Sequence, residues 1–166
     1  LAQEHLLSEL IKITKNDRNN IAFFATHSNY MIDKNDLSRN YRIIKSHDKT
    51  KIEQLAKRPS TYASVSYNVF NIPSTDYHNE LYARLHQKFQ DDAPNHKNRE
   101  FVKTFDEEYL QRVKNLPSNR PWKQYPNSAT LPTHIRKCIH HSDIENRFSV
   151  EELKMSTDCL LSYINP

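Results

Sequence analysis

Apolar residues recur at helical spacing from the start of the chain. Leu6, Leu7, Leu10, Ile11 and Ile13 stand among polar neighbours, so Leu1–Ile13 reads as an amphipathic helix. No capping residue precedes it, and the helix reads as one entered part-way, at a natural or experimental cut. The polar stretch Lys15–Asn20 ends it. Ile21, Ala22, Phe23, Phe24 and Ala25 then form a short continuous apolar run. That is the pattern of a strand buried on both faces of a mostly parallel sheet. The run stops at Thr26-His27-Ser28. The carboxyl end of a strand in an open α/β sheet is where ligand-contacting residues sit; the plain alternative is a polar loop.

Tyr41–Lys45 predicts a further strand, with turns at Leu37-Ser38 and across Ser46–Thr50. To about Lys57 the pattern fits the last strands of a sheet. After Arg58-Pro59 the character changes. Ser60-Thr61 caps a segment reaching Ile72 whose period is ambiguous; its length and cap favour a helix over a strand. Ser74-Thr75-Asp76 opens a helix over Tyr77–Phe89, with Leu81, Leu85 and Phe89 on one stripe. Within that helix start, His78 reads as an exposed side chain. Gln90–Arg99 reads as a loop and Glu100–Val113 as helical. Leu116–Asn127, with Pro117, Pro121 and Pro126, reads as an irregular connection. Helices are predicted from about Thr130 to His140, and from a cap at Ser149 to about Ile164. The expected fold class is an α/β piece over residues 1–58, followed by a mainly α-helical domain over 59–166.

Composition narrows the chemistry. The chain has 166 residues and no glycine, where ordinary usage gives about eleven or twelve. Phosphate-cradling loops need glycine for left-handed backbone and close approach, so the sequence holds neither a P-loop nor a dinucleotide fingerprint. Its own cofactor complement is expected to be none, and the chain is not expected to bind or hydrolyse ATP alone. No apolar run approaches a membrane span. Two cysteines, Cys138 and Cys159, are too few for a disulfide framework, which points to a reducing, cytoplasmic setting. The net charge of +4 carries little weight for nucleic-acid binding.

The first stretch resembles the end of an ABC/AAA-type ATPase domain of recombination-repair and abortive-infection (AbiEii-like) proteins. Leu1-Ala2-Gln3 resembles the loop and helix start that follow the family's Walker B strand. Ile21–Ser28 resembles its switch strand, with His27 in the switch-histidine position between Thr26 and Ser28. The resemblance implies that these three residues contact nucleotide in a full-length ATPase holding ATP and magnesium. The phosphate loop, signature motif and catalytic carboxylate of the family are absent from this sequence.

The C-terminal part resembles the tails of such ATPases in phage-defence systems, through Thr130–His141, the loop with Asn146, and Glu151-Glu152-Leu153. Arg136, four residues, then His141 is also similar to the Arg…His motif of HEPN ribonucleases. The resemblance implies a helical domain cleaving RNA without metal, with Arg136, His141 and His140 as site residues. It departs from the pattern at Lys137, where a small polar residue is usual. The chemistry fits these residue types: the 2′-hydroxyl needs a base and the phosphorane a fixed cation, and histidine and arginine supply them. On an ideal helix, however, Arg136 shares a face with His140, four residues on. His141 joins it only if the helix ends or distorts there, or across a dimer. A solvated cationic helix end is the plain alternative. His134, Cys138 and His141 at i, i+4 and i+7, near Asp143, are the other reading, as metal ligands. RNA, a second copy of the chain or a partner nuclease are the implied partners, the last for a non-catalytic docking or dimerisation module.

Overall fold

A computed structural model describes residues 2–16, 20–55, 61–92, 105–110, 130–141 and 148–164. Among them are five α-helices and one two-stranded antiparallel sheet. The chain divides into two compact units, Leu1–Ile72 and Pro73–Pro166.

In the first unit, α1 spans Ala2–Asn16. The strand expected at Ile21–Ala25 is not formed. Those residues are in irregular backbone, with Ile21 78% and Phe23 90% exposed. An apolar run becomes a buried strand only where neighbours take its amide and carbonyl groups. Among the described residues the only sheet is the hairpin of β1 (Tyr41–Ser46) and β2 (Lys49–Gln54), which pairs Ile43 with Ile52. The expected end of a parallel ATPase sheet is thus replaced by this hairpin. His47, at a φ of 51°, makes its turn without a glycine.

Helix α2 (Tyr62–Phe70) settles the ambiguous period in favour of a helix. Thr61 accepts a hydrogen bond from the Ser64 amide, and Asn71 closes the helix in the left-handed region at φ 58°, a place asparagine tolerates. Val65 packs with Ile32 and Leu37, supported by Leu55, Val69 and Phe70. That packing corrects the expected division at residue 58: α2 completes the first unit's core, and the division falls after Ile72.

The second unit contains α3 (Thr75–Asp92), a π-helical turn (Phe105–Tyr109), α4 (Leu131–His140) and α5 (Val150–Ile164). Helix α3 packs against both α4 and α5, which also pack on each other. Leu81, Leu85, Phe105, Leu131, Ile135 and Leu160 are buried. The start of α5 is a reciprocal capping box: the Glu152 amide donates to Ser149 Oγ at 3.1 Å, and the Ser149 amide donates to Glu152 Oε2 at 2.7 Å. The expected helix Glu100–Val113 is described only at 105–110, where it is a π turn; the proline-rich connection 116–127 lies outside the described residues. No helix of the described residues is long and apolar enough to cross a membrane.

These burial patterns predict a hydrogen-exchange contrast. The amides of Phe23 and Phe24 should exchange at nearly unprotected rates, and those of Leu81 and Leu85 far more slowly. Equal protection of the two pairs would contradict the exposed placement of 21–25.

Candidate functional site around Arg136

Helix α4 turns Leu131, His134, Ile135 and Cys138 into the core and leaves Arg136 and Lys137 half-buried. Thr133 and Arg136, three residues apart, both meet Tyr82 of α3. The Tyr82 hydroxyl lies 3.0 Å from Thr133 Oγ1. The Arg136 guanidinium carbon lies 5.1 Å from the Tyr82 ring centroid. A guanidinium over a phenol ring is attracted by about 0.5–2 kcal/mol, increasing as water is excluded.

Tyr82 is itself held by a chain of hydroxyls. Thr130 donates to the buried carboxylate of Asp106. Thr130 Oγ1 also lies 3.3 Å from Thr133 Oγ1, and the Tyr82 hydroxyl bonds Thr133 in turn. Burial pushes the Tyr82 phenol up to about 12, which keeps it a donor at neutral pH. Lys137 is pulled two ways: burial lowers its pKa, the larger effect, and the Asp106 carboxylate raises it.

Two further histidines share the α3 stripe with Tyr82, at i−4 and i+4. Ring centroids of His78 and His86 each lie 6.4 Å from that of Tyr82, stacked. The expectation that His78 is exposed is wrong: it is 0% exposed, with Nε2 2.9 Å from Ser156 Oγ and Nδ1 buried with no hydrogen-bond partner among the described residues. Helical period explains this, since His78 precedes Leu81 and Leu85 by three and seven residues on the core-facing stripe. Burial, with help from the Arg136 charge, lowers its pKa to about 3. His86 is half-exposed and meets Phe105 edge-on at 5.1 Å. Its pKa is lowered by burial first and by Arg136 second. The fixed cation therefore sits among neutral imidazoles at pH 7.

Helix α4 ends at His140. His141 is its cap, with φ −122° and ψ 106°, and its amide donates to Lys137 O at 2.8 Å. His141 therefore leaves the helical spiral, while His140 stays on the last turn, four residues from Arg136; both are exposed. The metal reading fails on orientation. Cys138 Sγ lies 3.4 Å from His134 Nε2 inside the core, whereas His141 is exposed beyond the helix. Asp143 lies outside the described residues, as does Asn146. Among the described residues no three His, Cys, Asp or Glu groups gather in a metal-like cluster. Neither Cys138 nor Cys159 is in a disulfide.

In the first unit, Thr26-His27-Ser28 forms a capping turn. Thr26 Oγ1 accepts from the Ser28 amide at 3.0 Å, and Ser28 Oγ accepts from the Tyr30 amide at 3.3 Å and donates to Gln3 at 2.6 Å. His27 is exposed.

The fold and site define a mainly helical chain whose second unit carries an arginine seated on tyrosine, flanked by histidines. No protein-family model, curated protein or solved structure matches the chain significantly. Tyr82, His86, Thr133 and Asp106 escaped the sequence reading. For Tyr82 and His86 the available signal was their shared stripe with His78; for Asp106 there was none.

Proposed function

We propose that the second unit is a HEPN-like, metal-independent RNA-cleaving domain. In this reading the first unit is the end of an ABC/AAA-type ATPase region, and the chain serves a cytoplasmic phage-defence system. ATP and magnesium belong to the full-length ATPase, where Thr26, His27 and Ser28 would meet nucleotide. The observation that carries the cleavage reading is Arg136, half-exposed on the Tyr82 ring with the half-exposed His86 packed on the same ring. Arg136 binds a phosphodiester oxygen and stabilises the charge that grows on it as the 2′-oxygen attacks. An imidazole accepts the 2′-hydroxyl proton, and another returns a proton to the departing 5′-oxygen. The products are a 2′,3′-cyclic phosphate and a 5′-hydroxyl end.

The competing reading, a helical module that docks a partner nuclease or a second copy, calls for an exposed apolar patch. Among the described residues of 73–166, Val150 is the one large apolar side chain that is well exposed. The test is incubation of the chain with labelled tRNAs and unstructured RNAs in excess chelator, with the product ends identified. Cyclic phosphate ends support the proposal; intact RNA throughout puts the docking module ahead. Between the neighbouring histidines, His141→Ala should cost activity as Arg136→Ala does, and His140→Ala much less. Equal losses at 140 and 141 would show that helical spacing, not the cap position of His141, sets the site.

A further inference from the structure

His86 lies fifty residues before Arg136 in the sequence, outside the segment that carries the Arg…His motif. The packing nevertheless gives the two a common neighbour. His86 lies nearly parallel to the Tyr82 ring, at an interplanar angle of 16°, and Arg136 lies over the same ring. The Phe105 edge fixes the imidazole from another side, at 78°. Tyr82 is anchored through Thr133 and Thr130 to Asp106. The ring that both groups meet is therefore held in place before any ligand arrives. His86 and Arg136 are each half-exposed.

We propose that His86 and Arg136 together form a binding notch for one phosphodiester of RNA, with His86 as the imidazole that takes the 2′-hydroxyl proton. The binding half stands on the packing alone; the proton-accepting half rests on the cleavage reading above. A phosphodiester matches the pair because guanidinium grips its oxygens in a fork, while an imidazole packed on the same tyrosine would serve the neighbouring ribose. The step balances. The 2′-oxygen-to-phosphorus bond forms and the phosphorus-to-5′-oxygen bond breaks. The proton of the 2′-hydroxyl passes to His86, and the 5′-oxygen takes one from His141. Two histidines on different elements thus divide the two proton transfers. With its pKa lowered by burial and by Arg136, His86 is uncharged at neutral pH, the state a base requires.

The test uses the full chain and an RNA dinucleotide methylated on the 2′-oxygen, which keeps the phosphodiester but has no proton to give. The His86 imidazole resonance is followed by NMR during titration. A saturating shift is expected, with a rise in the His86 protonation midpoint in the complex, because a nearby anion favours the imidazolium. Arg136→Ala should abolish the shift. His86→Phe keeps the ring packing on Tyr82 and Phe105 but lacks the nitrogens, and should bind about tenfold more weakly or worse. A His86 resonance unmoved at saturation, wild-type affinity in His86→Phe, or no binding at all overturns the notch. Binding with these signatures by a chain that leaves RNA intact would remove the cleavage reading and keep the notch. Undiminished cleavage by His86→Phe would do the reverse.

Discussion

Replacing Arg136 with alanine is expected to slow RNA cleavage by about 10²–10³-fold, the usual cost of removing one preorganised group that stabilises transition-state charge. Lys137, the next residue, is a poor substitute because it is half-buried and drawn by the Asp106 carboxylate. Arg136→Lys should recover little, because an ammonium offers a point charge where the guanidinium offers a planar fork. The unit should stay folded. The contact of Arg136 with Tyr82 contributes about 0.5–2 kcal/mol, against a typical domain stability of about 5–15 kcal/mol. Single-turnover rates on a short RNA, with circular dichroism to confirm folding, make the comparison. A folded Arg136→Ala variant cleaving at the wild-type rate would show that Arg136 does not meet the reacting phosphate.

Acidification should weaken the second unit through His78. Its pKa falls from 6.5 to about 3 in the folded chain, so the unfolded chain takes up the proton first as pH drops. The stability this group contributes is fully present above about pH 6.5 and is lost progressively as pH falls from there toward 3. At pH 5 the loss from this one group is about 2 kcal/mol. The lowered pKa of His86 acts in the same direction. Urea unfolding at pH 7 and pH 5 measures the change, and His78→Phe, which cannot titrate, isolates the His78 part. The variant should lose close to one proton's worth of pH slope. An unchanged slope would mean that His78 does not hold its neutral, buried state.

Much of the helical unit was legible from local signals. The stripe through Leu81 and Leu85 marks α3, and Ser149 with Glu152 spells the capping box of α5. Thr61 settles α2 through its cap. The hairpin was only half legible: its strand at 41–45 and the turn after it showed, but the partner strand Lys49–Gln54 has Ile52 as its one apolar residue and no pattern to single it out. Ile21–Ala25 misled because an apolar run reports preference, while burial as a strand depends on partners elsewhere in the chain. The candidate site divides the same way. Arg136, His140 and His141 are neighbours in sequence, and a motif shows them. Tyr82, His86 and Asp106 come together with Arg136 only through packing of α3, α4 and the 105–110 turn, and no spacing rule links such distant positions. The end of α4 at His140 decides where His141 can go, and it follows from the cap, not from the motif.

In the proposed reaction RNA is cut by its own 2′-hydroxyl, with Arg136 stabilising the phosphorane and no metal taking part. The most direct measurement compares two RNAs in excess chelator, identical except for a single 2′-deoxy nucleotide immediately 5′ of a mapped cleavage site. The unmodified RNA should be cut there to a 2′,3′-cyclic phosphate, and the deoxy RNA should survive at that bond while other sites are still cut. Cleavage at the deoxy position at the same rate would contradict it.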